Sequence, residues 1–122
     1  MRYMLLIYSR EEEGASPEEM QRVAAQHQAV MQETARRGIF CAADPLAPSS
    51  TATTVRLEDG AVLLTDGPFA EAKEQLAGYY ILDCEDLDEA LSWAAKIPTS
   101  CHGAPGYVEV RPIRDIRSHR EQ

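Results

Sequence analysis

Charged side chains directly follow a turn within residues 65–82, as expected of a loop at the mouth of a binding site. The Asp-Gly-Pro sequence at 66–68 predicts the turn, because glycine tolerates a positive φ and proline cannot donate to a strand ladder. Lys73 follows among carboxylates and could hold an anionic ligand, with Asp66 and Glu74 as further binding residues. The alternative is a simple strand exit, which accounts for the glycine and the proline but not for the charges.

His27 is a candidate general base, because an imidazole can accept a proton near neutral pH. It falls on or beside the apolar stripe of a predicted helix, whose members recur at helical spacing: Met20, Val23, Ala24, Val30 and Met31. The alternative is a structural histidine that makes one hydrogen bond in a mostly apolar site. The sequence leaves both interpretations open.

The other residues that could do chemistry support weaker hypotheses. Cys101 and His102 lie in a Gly/Pro loop that predicts an exposed turn, and adjacent residues seldom ligate one ion, so no metal is expected. Tyr79, Tyr80 and Trp93 are interpreted as core or interface aromatics. The sequence holds no phosphate-binding loop, G-x-S-x-G elbow or H-E-x-x-H motif, and we expect no cofactor.

Two β-α-β units separated by a hairpin must position these residues. Strands are predicted at 1–8, 39–43, 51–57, 61–65, 78–84 and 107–111, with a loop at 44–50. Ser16 and Glu19 predict a capping box at the start of the first helix, and Gly38 predicts its left-handed end. Asp86 caps the second helix, which Pro98 ends. The predicted apolar stripe of that helix comprises Leu87, Ala90, Leu91 and Ala94.

This order of elements predicts a ferredoxin-like α+β domain, an antiparallel sheet with two helices on one face. The strands at 3–8 and 79–84 are apolar on both faces, although two helices cover only one face. An open apolar sheet face would be a large exposed patch. The sequence therefore predicts a homodimer in which a second copy covers the open face.

The length of 122 residues fits one domain, and we predict that it spans 1–113, followed by a flexible tail at 114–122. Three cysteines without paired spacing indicate reduced thiols. The first apolar run is too short for a signal sequence or a membrane span. These features predict a cytoplasmic protein without a membrane partner, and the net charge of −8 argues against nucleic acid as a partner.

Four stretches resemble the DGPF-motif proteins of the YCII-related family: MRYMLLIY at 1–8, TATTVR at 51–56, TDGPFAEAKEQLAGYYIL at 65–82 and DLDEALSWAAKIP at 86–98. The resemblance implies a ferredoxin-like fold that assembles as a dimeric α/β barrel. Many members of that family have no assigned reaction. Relatives in the wider superfamily act on small cyclic or aromatic compounds, and some DGPF proteins are associated with extracytoplasmic-function sigma factors.

The resemblance also implies a histidine–aspartate dyad. The family has a histidine early in the first helix with a glycine eleven residues on, and His27 and Gly38 keep that interval. Asp44 is the nearest candidate for the aspartate, although the family's simpler members usually have Gly-Pro at that place.

Two functions follow as hypotheses. The first is a small cofactor-free enzyme that moves a proton on a cyclic or aromatic acid, with His27 as base and Lys73 as anion anchor. The second is a non-catalytic ligand-binding or regulatory dimer. An enzyme should show His27 in an open pocket with a second polar group, whereas a regulatory module should show His27 walled in.

Overall fold

The computed structural model describes residues 1–11, 14–68, 73–100 and 106–116. The predicted turn at Cys101 and His102 lies outside the described residues, as does the predicted tail beyond Ile116. The elements, in chain order, are β1 (Arg2–Ser9), α1 (Pro17–Arg36), β2 (Phe40–Pro45), β3 (Thr53–Glu58), β4 (Ala61–Asp66), β5 (Gln75–Asp83), α2 (Leu87–Ala94) and β6 (Gly106–Pro112).

Four strands form an antiparallel sheet in the order β2-β5-β1-β6. Buried side chains of β1 and β5 form one cluster with residues of both helices, so the two helices cover the same face. This is the arrangement of a ferredoxin-like α+β domain, which confirms the predicted fold class. Neither helix is long and apolar enough to cross a membrane, within the part of the chain that the structure describes.

The helix starts follow the predicted capping. The Glu19 backbone N–H donates to the Ser16 hydroxyl at 3.1 Å, and the Ser16 N–H donates to the Glu19 carboxylate at 3.0 Å. Asp86 accepts from the Glu89 N–H at 2.9 Å and so caps α2. Side-chain acceptors satisfy N–H groups that have no partner within a helix, which fixes where both helices begin.

The buried side of α2 differs from the prediction. Ala90 and Trp93 are buried, whereas Leu87 and Leu91 are each 47% exposed. The last turn tightens after Ala94, with i→i+3 backbone hydrogen bonds, and brings Ile97 into the core. The large Trp93 ring therefore sets the face that packs on the sheet, and the two leucines lie toward solvent.

The second strand is longer than predicted. β2 continues through Asp44 and Pro45, which were expected to begin a loop. Pro45 is tolerated because β2 is an edge strand that pairs only with β5, so its missing N–H breaks no ladder on the outer side. Asp44 is consequently held in the sheet opposite Tyr79.

The sheet face opposite the helices carries Met4 and Leu6 of β1 and Ile81 of β5, all half-buried. We call these three side chains the open sheet face. Their neighbours along the strands, such as Leu5 and Leu82, are fully buried under the helices. The period of two in burial confirms that both faces of the central strands are apolar.

The hairpin stands apart from this sheet. β3 and β4 form a separate two-stranded sheet joined at Asp59 and Gly60, whose φ angles are 50° and 79°. Two successive positive φ values are typical of the tight turn that suits the twist of paired strands. The predicted hairpin is therefore confirmed.

Gly67 has a φ of 89°, and its N–H donates to the Ala52 carbonyl at 2.6 Å at the open end of the hairpin, next to the pair of Thr53 with Asp66. Because a β-branched side chain is strained there, we expect Gly67→Val to lower the free energy of unfolding by about 1–3 kcal/mol. Ala61→Val, at an exposed strand position, is the control and should change stability little. Urea denaturation measures both; equal stability of the two variants would contradict the strain argument.

Candidate functional site

A cavity of about 430 Å³ lies between α1 and the strands β1, β2 and β5. Most of its walls are apolar. The lining residues are Ile7, Met20, Val23, Ala24, His27, Met31, Ala43, Asp44, Pro45, Gly78, Tyr79 and Tyr80. Most members of the predicted apolar stripe of α1 therefore line this cavity, and only Val30 among them is buried in the core.

Gly78 lines the cavity at a point where β2 approaches β5 closely. A Cβ atom there would lie 2.9 Å from the Asp44 carbonyl oxygen and 3.2 Å from the Pro45 Cα. Both neighbours are backbone atoms, so they have little freedom to move away. The glycine thus permits the pairing of Pro45 with Gly78 and keeps a side chain out of the cavity.

His27 and Tyr80 form the polar centre of the cavity. The Tyr80 hydroxyl lies 2.8 Å from His27 Nδ1 and donates at 3.3 Å to the His27 carbonyl oxygen. The two rings stack with centroids 5.9 Å apart. A hydroxyl has one proton, so both contacts are hydrogen bonds only when His27 Nδ1–H donates to the tyrosine oxygen. This tautomer leaves the imidazole lone pair on Nε2, where it can accept a proton.

Burial determines the charge state of this pair. It lowers the pKa of His27 below the ordinary 6.5, so the imidazole is neutral at pH 7. It raises the pKa of Tyr80 to about 12, so the hydroxyl keeps its proton. A neutral imidazole oriented by a protonated phenol can act as a general base near neutral pH.

The titration of His27 tests this description. We expect a midpoint below 6.5 in the folded protein and a return to about 6.5 in urea, where the ring is solvated. Nitrogen-15 NMR at pH 8 should show Nδ1 protonated and Nε2 unprotonated. A folded-state midpoint above 6.5, or a proton on Nε2, would contradict the arrangement.

Asp44 is turned away from His27. The Tyr79 hydroxyl donates to Asp44 Oδ2 at 2.8 Å, and this hydrogen bond raises the pKa of Tyr79. Asp44 pairs with Tyr79, and the next pair along, Ala43 with Tyr80, faces the helices. Because side chains alternate along a strand, the Asp44 carboxylate lies on the opposite sheet face from His27. The structure therefore does not bring the implied dyad together, although both residues line the cavity.

The charged residues behind the turn lie elsewhere. Lys73 lines an open cleft of about 520 Å³ whose other lining residues are Arg10, Glu11, Ser49 and Gln75, and this cleft shares no residue with the cavity. Asp66 ends β4 and is exposed. Glu74 is half-buried just before β5. Lys73 thus faces a second cleft, so the structure does not join it to His27 in one site.

Tyr80 is the site residue that the sequence interpretation missed, since it was assigned to the core or an interface. A usable signal exists in the adjacent pair Tyr79-Tyr80, because neighbours in a strand point to opposite faces. One of two adjacent tyrosines in a central strand must therefore face the helices. Its hydroxyl then requires a partner on a helix, and His27 on α1 provides it.

Comparison with known proteins gives a consistent match along the chain. The family model described as the YCII-related domain matches residues 1–117. An uncharacterized protein from Rhizobium meliloti (strain 1021) is 38% identical over 115 residues, which cover 93% of this chain and 92% of that protein. The similarity therefore includes the cavity, the hairpin and both helices.

Proposed function

Since the chain belongs to the YCII-related domain family, we propose that its apolar cavity binds a small cyclic or aromatic compound and that His27 moves a proton on it. The reaction is a cofactor-free proton transfer of the isomerase or lyase type. The Asp-Gly-Pro-Phe sequence at 66–69 supports a place in the DGPF-motif subgroup of the family.

The observation that carries the proposal is the hydrogen bonding of His27 within an otherwise apolar cavity. The Tyr80 hydroxyl lies within hydrogen-bond distance of both His27 Nδ1 and the His27 carbonyl oxygen, which favours the tautomer with the basic lone pair on Nε2, and burial favours the neutral ring. A structural histidine in a filled core would have no adjoining space for a ligand. The cavity of about 430 Å³ falls in the range of about 300–1,000 Å³ typical of small-molecule sites.

The lining indicates the substrate class. Side chains such as Met20, Val23 and Met31 present hydrocarbon and thioether surface, which favours a ring over an open polar chain. The proposed substrate is therefore a small cyclic or aromatic compound. An acid group on it would have to extend beyond the cavity to meet a cation, because Lys73 lines a separate cleft.

The open sheet face supports a homodimer as the functional form. Met4, Leu6 and Ile81 lie on the face that the helices leave uncovered. A second copy packed sheet against sheet would remove these side chains from water and bury more than about 2,000 Å² in total, as obligate dimers do.

A two-stage experiment tests the function. Thermal-shift screening of small cyclic and aromatic acids should find ligands, because a ligand at 100 times its Kd stabilises the folded state by about 2.7 kcal/mol. Each ligand is then incubated with the protein in D₂O and followed by proton NMR. Loss of a carbon-bound proton signal supports proton transfer, whereas binding without exchange favours the non-catalytic ligand-binding dimer.

A further inference from the structure

A second concave site lies at the end of the sheet where β1 ends and β5 begins. The open cleft of about 520 Å³ is lined by Arg10, Glu11, Ser49, Lys73 and Gln75. We call it the polar cleft, because each of these side chains is polar or charged. The cavity around His27 is mostly apolar, so the two sites suit ligands of different chemistry.

The pairing of the two central strands brings the cations of the polar cleft together. Ser9, the last residue of β1, pairs with Gln75, the first residue of β5. Arg10 follows β1 directly and Lys73 lies two residues before β5, so both reach the same end of the sheet. Both side chains are exposed to solvent in the cleft. The ends of two hydrogen-bonded strands therefore position the two cations.

A hydrogen bond connects a third segment to this end of the sheet. The Ser49 N–H donates to a Glu11 carboxylate oxygen at 2.8 Å, across 38 residues of sequence. Ser49 begins a short 3₁₀ turn at Ser49–Thr51, and the first N–H groups of such a turn have no partner within it. The Glu11 carboxylate thus joins the segments that follow β1 and β2, and the N–H partly compensates its charge.

The two cations have no comparable partner. Among the residues that the structure describes, neither Arg10 nor Lys73 forms an ion pair. Arg37 and Arg56, in contrast, each pair with a glutamate. Two cations and the Glu11 carboxylate give the cleft a net charge of +1, in a chain whose net charge is −8. The polar cleft is therefore a place where an anion is attracted to an acidic protein.

The side chains of the polar cleft suit an oxyanion. A guanidinium group can donate two parallel N–H bonds to a carboxylate or a phosphate, and a lysine ammonium adds a point charge with three donors. The Ser49 hydroxyl is a further donor. A cleft of about 520 Å³ has room for more than a lone ion, and its polar lining favours a hydrophilic molecule.

We propose that the polar cleft binds a hydrophilic small molecule through a carboxylate or phosphate group held between Arg10 and Lys73. Gln75 in the cleft and Gly78 in the cavity are three residues apart in β5, which is about 10 Å along a strand. A ligand of the polar cleft need not enter the cavity. The proposal therefore does not depend on proton transfer by His27.

Titration of the full chain with inorganic phosphate at constant ionic strength, followed in nitrogen-15 NMR spectra, tests the proposal. The amide signals of Ser49 and Gln75 should shift with a Kd on the order of 1 mM, because the cleft is open to water. Arg10→Gln and Lys73→Gln each remove one cation and should raise that Kd at least about fivefold. Arg56→Gln removes the same charge at the hairpin and should change it less than about twofold.

Glu11→Gln tests the charge of the cleft separately from its shape. Glutamine keeps an oxygen that can accept from the Ser49 N–H, but it removes the negative charge. Phosphate should then bind at least about threefold more tightly. Unchanged or weaker binding would contradict the electrostatic argument. A second titration with malonate distinguishes the two oxyanions, since the anion with the lower Kd identifies the group that the cleft prefers.

Three results would overturn the site. The first is the absence of saturation by either anion up to about 50 mM, where a Kd near 1 mM predicts a filled site. The second is equal weakening by Arg10→Gln and Arg56→Gln. The third is a set of shifts around His27 in place of the cleft, which would put the anion in the cavity. Neither probe contains a ring, so proton transfer by His27 is left to the experiment with cyclic compounds.

Discussion

His27→Gln should lower the rate of proton transfer on the cavity ligand by about 10²–10⁴-fold. Glutamine keeps a polar side chain that can bond Tyr80, but it has no nitrogen lone pair that accepts a proton at neutral pH. The ligand should still bind, because the walls around the substitution stay apolar. Hydrogen–deuterium exchange of the ligand measures the rate, and calorimetry measures binding.

Tyr80→Phe separates the chemistry from the packing. The phenyl ring fills the same place, but the tautomer of His27 is no longer fixed. We expect a smaller loss of rate than in His27→Gln and an Nε2 that becomes partly protonated in nitrogen-15 spectra. A His27→Gln variant that exchanges at the wild-type rate would show that His27 is not the base.

The rate of proton transfer should increase with pH in the range where His27 loses its proton. A base must be unprotonated, and burial lowers the pKa of His27 below 6.5 in the folded protein. The wild-type rate should therefore rise with pH below 6.5 and be constant around pH 7. The unfolded chain binds a proton more readily than folded His27, so this group also adds stability as pH rises through that window.

Local signals in the sequence predicted the element order and the caps well. Ser16 with Glu19, Asp86 and the Asp59-Gly60 turn each act through neighbours within a few residues, so their residue types determine the geometry. The fold class followed because these signals also determine the order of strands and helices.

The site was less predictable because it depends on register. Whether Asp44 faces His27 or the opposite side is set by its pairing with Tyr79, and a shift of one residue would reverse it. The sequence did not predict that β2 continues through Pro45, because proline usually favours a loop. The close pairing of β2 with β5 beside the cavity depends on the missing side chain at Gly78, which local propensity does not reveal.

Among the substitutions considered, we expect the largest loss of stability at a fully buried position of the sheet. Leu82 lies in β5 with none of its surface exposed, two residues from Tyr80 on the same side of the strand. Leu82→Ala should lower the free energy of unfolding by about 2–5 kcal/mol, because it leaves a cavity in close-packed surroundings.

Leu91→Ala is the matched control, since Leu91 is 47% exposed on α2 and alanine favours a helix. It should change stability by less than about 0.5 kcal/mol, as surface substitutions usually do. Urea denaturation of both variants compares the loss of stability at a buried position of β5 with the loss at an exposed position of α2. If Leu91→Ala lowered the free energy of unfolding as much as Leu82→Ala, Trp93 would not mark the buried side of α2. The side that carries Leu87 and Leu91 would then be the one that packs on the sheet.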